Sequence, residues 1–195
     1  MIPDLQAQKS AIRAEAKARR VALPNKDALS ACILDRFFAM EEFAAAKTVL
    51  LYVETRTEVR TLPGFTFALQ TGKRIAVPFC HDNELELFRL EDPSELTAGA
   101  FGVLEPRPSL RRMADKLIEP AEIDLIQVPG VAFDRNCGRL GHGKGFYDRL
   151  LKRCRHDATF VGLAFDCQLF PEIPMAPFDV RMNAVVTESA VHRRG

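Results

Sequence analysis

Hydrophobic and polar positions repeat with a helical period near the N-terminus and mostly as short strand-like runs afterwards. Two segments carry the helical pattern: residues 4–23, rich in Ala, Lys, Arg, Gln and Glu, and residues 26–45, with an apolar face of Leu29, Ile33, Phe37 and Met40. β-Branched runs then alternate with polar loops and further helical stretches. The pattern predicts strands at 47–53, 73–79, 84–90, 123–128, 159–165 and 183–187, and helices at 62–71 and 145–156.

The order of these elements predicts an α/β fold, because helices that alternate with strands are typical of parallel sheets. Residues 84–90 alternate strictly, which predicts an antiparallel strand near an edge and therefore a mixed, mostly parallel sheet. Four prolines between residues 91 and 122 predict an irregular connection with one short helix around Arg111. No repeat or linker divides the chain, so we expect a single domain, residues 1–195, with the helix at about 4–23 packed onto its core.

Composition and charge exclude several classes of protein. The 27 Lys and Arg residues nearly balance the 26 Asp and Glu residues, and the net charge of +1 gives no field that would attract nucleic acid. The five cysteines form no CxxC pair, and no apolar run approaches the ~20 residues of a membrane span. We expect a protein of the reducing cytoplasm with no nucleic-acid or membrane partner. The oligomeric state stays open, with a monomer as the preferred expectation.

A strand, a glycine-rich loop and the start of a helix follow one another between residues 123 and 149. The loop holds four glycines in eight positions, and glycine lets backbone N–H groups approach an anionic ligand. It also carries Arg139, His142 and Lys144, and Asp148 follows as a hard oxygen ligand for Mg²⁺. A P-loop pattern is absent. The segment therefore predicts a nucleotide site with a metal ion nearby. Asp148 is the first candidate ligand of that ion, and Asp179 is the second.

Two other features each allow two interpretations. Lys9, Arg13 and Lys17 recur every fourth residue, which indicates either a solvated basic stripe or cations that reach ligand phosphates. Glu58 follows the first predicted strand, where α/β proteins bind ligands. It is either a carboxylate at a helix N-terminus or an acceptor for the N–H groups of a ligand.

The stretch from Pro129 to Arg149 resembles the 5-formyltetrahydrofolate cyclo-ligase family. The family pattern is Pro-Gly-x-Ala-Phe-Asp, a short turn, and then Arg-Leu-Gly-x-Gly-x-Gly-aromatic-Tyr-Asp-Arg. Ordered matches extend along nearly the whole chain, at Lys9, Arg13, 58–61, Val77, Pro78, 101–106, Gln168, Ile173, Pro174 and Asp179.

This resemblance implies a fold and an activity. The fold is a three-layer α/β domain of the kind shared with ribose-5-phosphate isomerase and CoA transferases. The activity is an ATP- and Mg²⁺-dependent conversion of 5-formyltetrahydrofolate to 5,10-methenyltetrahydrofolate that releases ADP and phosphate. The formyl oxygen is expected to be phosphorylated first, and N10 then closes the ring.

The resemblance also implies a role for each matching residue. Lys144 and Arg139 are the expected catalytic residues, Asp148 and Asp179 lie near Mg²⁺, and Glu58 binds the pterin. Phe146, where the family commonly has tyrosine, either stacks on the folate or packs. ATP is expected to contact Lys9, Arg13, Arg139, Leu140, Gly141, His142, Gly143, Lys144, Gly145, Phe146 and Tyr147. The His142 side chain occupies a variable position of the family and is interpreted as an exposed loop histidine.

One departure and two alternatives remain. Cys137 stands where the family commonly has glycine, and Gly138 follows, which indicates a turn glycine displaced by one residue. A catalytic cysteine is not favoured, because only His142 lies close enough in sequence to activate it. The alternatives are a sugar-phosphate isomerase on the same fold, which needs neither ATP nor Mg²⁺, and a folate- or nucleotide-binding regulator without turnover.

Overall fold

An eight-stranded sheet organises the chain in the computed structural model, which describes residues 4–55, 57–99 and 102–194. The five central strands run parallel, and the remaining three pair antiparallel at the two sides. From one edge to the other, the strands are β13 (Val191–Arg193), β12 (Ala184–Val186), β10 (Thr159–Leu163), β7 (Leu125–Val128), β1 (Thr48–Leu50), β2 (Arg74–His81), β3 (Glu84–Leu90) and β6 (Leu117–Ile118).

Helices cover both faces of this sheet because its strands are apolar on both sides. Within β1, Val49 packs into one buried cluster and Leu50 into the other. The first cluster includes residues of α2 (Lys26–Phe38), α3 (Glu41–Ala45) and α4 (Phe65–Gln70). The second includes Leu150 and Leu151 of α5 (Phe146–Arg153). The sheet therefore forms the middle layer of three.

The first helix, α1 (Leu5–Ala22), packs on a smaller sheet instead of the large one. That sheet has the order β11 (Leu169–Phe170), β8 (Ala132–Asp134) and β9 (Arg139–Leu140). Ala16 of α1 is buried against Ala132, Leu140 and Phe170. The small sheet therefore holds α1 beside the glycine-rich loop. A separate hairpin is formed by β4 (Leu96–Ala98) and β5 (Leu104–Pro106).

The predicted α/β class with a mixed, mostly parallel sheet is confirmed, and β3 is antiparallel as expected. The predicted helix over 26–45 is wrong in its length, because α2 ends at Phe38, the backbone is extended at Met40, and α3 begins at Glu41 as a separate helix. The short helix predicted around Arg111 is displaced, because a 3₁₀ helix forms at Ala114–Lys116 while Arg111 itself lies in a turn. The Arg111 guanidinium donates to the Pro106 carbonyl at 2.7 Å, which ties the turn to the β4–β5 hairpin.

Phe101, one of the residues that carry the family resemblance, lies outside the described residues. None of the helices in the described part of the chain combines the length and apolar composition that a membrane span requires. The single domain over 1–195 stays a prediction.

Candidate functional site

A cleft of about 780 Å³ opens beyond the carboxyl end of β7. This is the edge of a parallel sheet at which α/β proteins bind ligands. Its walls come from α1, from Thr55 after β1, from the glycine-rich loop with the start of α5, and from the segment around Asp179. Distant parts of the sequence therefore meet at one concave surface.

Side chains hold three successive carbonyl oxygens in the turn between β7 and β8. Arg139 donates to the carbonyl of residue 129 at 3.2 Å. The carbonyl of residue 130 accepts from Arg20 at 3.2 Å and from Gln168 at 3.0 Å, and Gln168 also donates to residue 131 at 3.0 Å. Arg20 and Gln168 are both buried. The base of the cleft is therefore anchored from α1 and from the segment before β11.

Asp134 at the end of β8 organises the hairpin that carries the loop. Its Oδ1 accepts backbone N–H groups of Asn136 at 2.9 Å and Gly138 at 2.8 Å. Its Oδ2 accepts the N–H of Ile173 at 2.8 Å. Asp134 is buried, and two of these bonds, to Gly138 and Ile173, satisfy buried donors, whereas the Asn136 bond is partly buried. Asp134 thus links the β8–β9 turn to the segment that leads towards Asp179.

Cys137 has a φ of +63°, the left-handed region that favours glycine. The idea of a turn glycine displaced by one residue is therefore wrong, because the left-handed position is the one that Cys137 occupies. Gly138 is needed for a different reason, since a Cβ there would lie 2.5 Å from Asp134 Oδ2. Cys137 is buried, and burial raises the pKa of its thiol, which does not suit a nucleophile.

The loop reaches α5 through two glycines with positive φ, +98° at Gly143 and +69° at Gly145. Arg13 of α1 donates from Nε to the carbonyl of Gly141 at 2.9 Å. Lys144 is exposed at the cleft wall. The loop therefore combines a glycine backbone with cations from two elements, which suits a polyanionic ligand.

Two cation–carboxylate pairs stand in the cleft. Lys9 forms an ion pair with Asp179 Oδ2, and this oxygen also accepts the Ala176 N–H at 2.7 Å. Arg139 donates to Asp148 Oδ1 at 2.8 Å, and the same oxygen accepts the Val180 N–H at 3.3 Å. Within the described residues, the second oxygen of each carboxylate accepts no hydrogen bond. Both carboxylates are thus fixed in orientation, each with an oxygen left for a ligand.

The interpretation of a solvated basic stripe on α1 fails at two of its three members. Lys9 is buried and Arg13 is partly buried in the cleft, whereas Lys17 is exposed. The buried face of α1 runs through Lys9, Ala16 and Arg20. The four-residue repeat predicts Lys17 on the ligand-facing side, whereas the helix buries Arg20 there.

Glu58 is not at a helix N-terminus. Glu54 has that place, where its Oε2 accepts the N–H groups of Thr61 and Leu62 at 3.1 Å each, just before α4. Glu58 is buried, and its Oε2 accepts the Thr55 N–H at 2.8 Å. Its Oε1 lies 3.1 Å from Nε2 of His142, so His142 is not merely an exposed loop residue.

Burial and hydrogen bonding act in opposite directions on Glu58. Burial raises the pKa of this carboxyl group, but the hydrogen bonds from His142 and the Thr55 backbone lower it further, and the net pKa lies below the ordinary value. Glu58 is therefore an ionised acceptor at neutral pH. Burial raises the pKa of the neighbouring Tyr147 well above its usual value, so its phenol keeps its proton.

Aromatic rings line two parts of the cleft. Phe146 is partly buried against the second core cluster, with the Arg149 guanidinium carbon 5.2 Å from its ring centroid. Phe178 is 59% exposed, and Lys9 Nζ lies 5.9 Å from its ring centroid. Neither sequence patterning nor the family resemblance pointed to Phe178. Stacking of Phe146 on a folate stays a prediction.

The cleft brings together all but one of the residues proposed from the sequence. The exception is Glu58, which lies behind His142. The residues that line the cleft are Lys9, Arg13, Arg139, Leu140, Gly141, His142, Gly143, Lys144, Gly145, Phe146, Tyr147, Asp148 and Asp179. No cluster of three or more His, Cys, Asp or Glu side chains suited to a metal occurs among residues 4–55, 57–99 and 102–194.

Comparisons with known proteins bear on the whole of this cleft. A family model described as the 5-formyltetrahydrofolate cyclo-ligase family matches residues 5–188. A Schizosaccharomyces pombe protein named "Probable 5-formyltetrahydrofolate cyclo-ligase" is 34% identical over 181 residues, covering 86% of this chain and 87% of that protein. The Escherichia coli K12 protein named 5-formyltetrahydrofolate cyclo-ligase is 34% identical over 150 residues, covering 75% and 80%.

A solved structure agrees in fold. The NMR structure of the Aquifex aeolicus 5,10-methenyltetrahydrofolate synthetase superposes with a TM-score of 0.83 at 36% identity, covering 95% of this chain and 92% of that one. The family match begins before Lys9 and ends after Asp179, so every cleft residue named above lies within it.

Proposed function

Because this chain belongs to the 5-formyltetrahydrofolate cyclo-ligase family, we propose that its cleft holds ATP beside 5-formyltetrahydrofolate and transfers the γ-phosphoryl group to the formyl oxygen. The enzyme closes 5-formyltetrahydrofolate to 5,10-methenyltetrahydrofolate, with ATP as co-substrate. The proposal therefore concerns the residues and the order of the chemical steps.

The chemistry explains why a phosphoryl transfer comes first. A formamide carbonyl is a weak electrophile and its oxygen is a poor leaving group. Attack of that oxygen on the γ-phosphorus forms the O–P bond and releases ADP. N10 then attacks the activated carbon, the C–O bond breaks, phosphate leaves and N10 loses its proton. Enzymes assist phosphoryl transfer mainly by positioning and charge stabilisation.

One observation carries the proposal: the glycine-rich loop and the cations of α1 and β9 line the same cleft. We propose that loop N–H groups, together with Lys9 and Arg13, bind the ATP phosphates. Lys144, exposed on that loop, stabilises charge on the phosphoryl group as it moves. These roles need cations placed around one polyanion and no protein nucleophile.

Arg139, the second residue that the resemblance nominates as catalytic, has a more structural setting. Its two terminal nitrogens donate to the carbonyl of Pro129 and to Asp148, and its side chain is buried. We propose that Arg139 positions the loop and Asp148, and that Lys144 carries the larger part of the charge stabilisation.

Asp148 and Asp179 supply two carboxylates, a number of protein ligands that suits a magnesium ion. Mg²⁺ is commonly bound by one or two carboxylates together with substrate phosphates and water. Each carboxylate is oriented by a cation and a backbone N–H through one oxygen. When bound, the ion would neutralise phosphate charge.

If Asp179 binds the metal, the Asp179→Asn variant should need more Mg²⁺ for activity. We expect the Mg²⁺ concentration for half-maximal activity to rise by about tenfold, because the amide is a weaker ligand than the carboxylate. Mn²⁺ titration followed by electron paramagnetic resonance, with a non-hydrolysable ATP analogue present, measures the same loss without turnover. Glu172→Gln, an exposed change on the same segment, is the control. Unchanged Mn²⁺ affinity in Asp179→Asn would remove this residue from the metal site.

The activity is tested by the near-ultraviolet absorbance of the methenyl product. Purified protein is mixed with 5-formyltetrahydrofolate, ATP and Mg²⁺, and each component is omitted in turn. We expect the band to grow only in the complete mixture. Binding of both substrates without growth would indicate a regulator, and binding of neither would favour a sugar-phosphate isomerase.

We further propose that the enzyme works in the reducing cytoplasm on small molecules alone. The cysteines Cys32, Cys80, Cys137, Cys154 and Cys167 are all free thiols. We also propose that it acts as a monomer.

A further inference from the structure

The carboxylate proposed to bind the pterin is covered by a residue of the nucleotide loop. Thr55 and His142 line the cleft, whereas Glu58 is not among the described residues that line it. The Glu58 side chain is 5% exposed, and that of His142 is 46% exposed. Both carboxylate oxygens are engaged, Oε2 by the Thr55 N–H and Oε1 by His142 Nε2. A ligand in the cleft therefore meets His142 before it meets Glu58.

We infer that His142 is a positioning residue whose hydrogen bond to Glu58 breaks when ATP binds, so that nucleotide binding opens the carboxylate to the pterin. The inference rests on the proposed function, in which Glu58 accepts hydrogen bonds from pterin N–H groups. A pterin that donates to Oε1 replaces His142 there. The imidazole of His142 therefore competes with 5-formyltetrahydrofolate for the Glu58 carboxylate.

The loop is built so that His142 can be moved from the ATP side. His142 lies between Gly141, whose carbonyl accepts from Arg13 at 2.9 Å, and Gly143, whose φ is +98°. A Cβ on Gly143 would lie 3.5 Å from the Arg13 guanidinium. Phosphates that engage Arg13 and the loop N–H groups therefore act directly on both neighbours of His142. Nearly half of the His142 side chain is already exposed.

Neighbouring groups still stabilise the negative charge of Glu58 after His142 has moved away. The other charged and titratable groups that act on it are Arg20 of α1, Tyr52 after β1 and Tyr147 of α5. Arg20 is a buried cation, and the Thr55 N–H still binds Oε2. Glu58 therefore remains an oriented anion that receives the pterin without a change in the fold.

The test is a cycle of equilibrium binding measurements on wild type and His142→Ala. Calorimetry gives the Kd for 5-formyltetrahydrofolate with and without a non-hydrolysable ATP analogue. For wild type, we expect the analogue to lower the folate Kd by about tenfold, and the folate to lower the analogue Kd by the same factor, because coupling is reciprocal. For His142→Ala without nucleotide, the folate Kd should already be about tenfold lower than in wild type, the scale of one hydrogen bond to a charged group. The coupling should vanish.

Two further variants separate this inference from the proposed function. His142→Gln retains a donor for Glu58 and should retain part of the coupling. Glu58→Gln should weaken folate binding and spare nucleotide binding. If Glu58→Gln weakens folate binding while His142→Ala leaves it unchanged or weakens it, the inference is overturned and the role of Glu58 stands. If Glu58→Gln leaves folate affinity intact, both the role of Glu58 and the inference fall.

Discussion

Lys144→Ala is expected to lower kcat by about 10²–10³-fold, the typical loss when one charge-stabilising group is removed from a transition state. The protein should otherwise be intact, because Lys144 lies exposed in the loop between two glycines and contributes nothing to either core cluster. We expect Tm to change by no more than about 2 °C. The measurements are the initial rate of methenyl product formation and thermal unfolding followed by circular dichroism.

Two comparison variants sharpen this result. Lys17→Ala removes an exposed lysine from α1 and should leave both kcat and Tm near wild type. Lys144→Arg keeps the charge but changes its shape and reach, so it should recover only part of the rate. Losses of rate and stability in equal measure would mean that Lys144 has a structural role instead.

Asp134→Ala is expected to lower the free energy of unfolding by about 3–5 kcal/mol, the scale of several buried donors left without acceptors. The side chain is 1% exposed, and it accepts from the backbone at Asn136, Gly138 and Ile173. Alanine leaves the buried N–H groups of Gly138 and Ile173, and the partly buried N–H of Asn136, without this partner. Urea denaturation monitored by circular dichroism gives the change in free energy directly.

A graded series of variants tests the same mechanism. Asp134→Asn keeps one oxygen acceptor and should cost less than Asp134→Ala. Gly138→Ala should also be destabilising, because its Cβ would lie 2.5 Å from the carboxylate. Asp35→Ala, an exposed change on α2, should stay within about 0.5 kcal/mol of wild type. Near-native stability of Asp134→Ala would show that water replaces the carboxylate.

The elements that sequence patterning located are those with long apolar periods. The predicted strands correspond to β1, β2, β3, β7, β10 and β12 of the large sheet, and the predicted helices include α1, α4 and α5. The short edge strands β6 and β13 were not predicted. The pattern failed where structure depends on distant partners. β8 and β9 have only three and two residues, and they are held by Asp134, Gln168 and α1. The contact of Asp134 with Gly138 is local, but those of Gln168 and α1 with this sheet lie outside any local window.

For the site, the sequence predicted most of the residues but not the contacts between them. Glycine spacing and loop cations indicated an anion site, and the family resemblance connected it to Lys9 and Asp179. The ion pair between these two joins residues 170 positions apart, which no periodicity can reveal. The contact between His142 and Glu58 gave no sequence signal, because it depends on how the loop folds over the end of β1.

The pairing of Lys9 with Asp179 also has a consequence for synthesis on the ribosome. α1 is translated before the whole sheet, and the carboxylate that neutralises Lys9 emerges only after residue 179. Phe170 and Ile173, against which α1 buries Ala16, are also translated late. The nascent helix must therefore wait, with its cation uncompensated, until most of the sheet has been made. A polypeptide released shortly before Phe170 would keep most of the large sheet but would have neither a docked α1 nor a complete cleft.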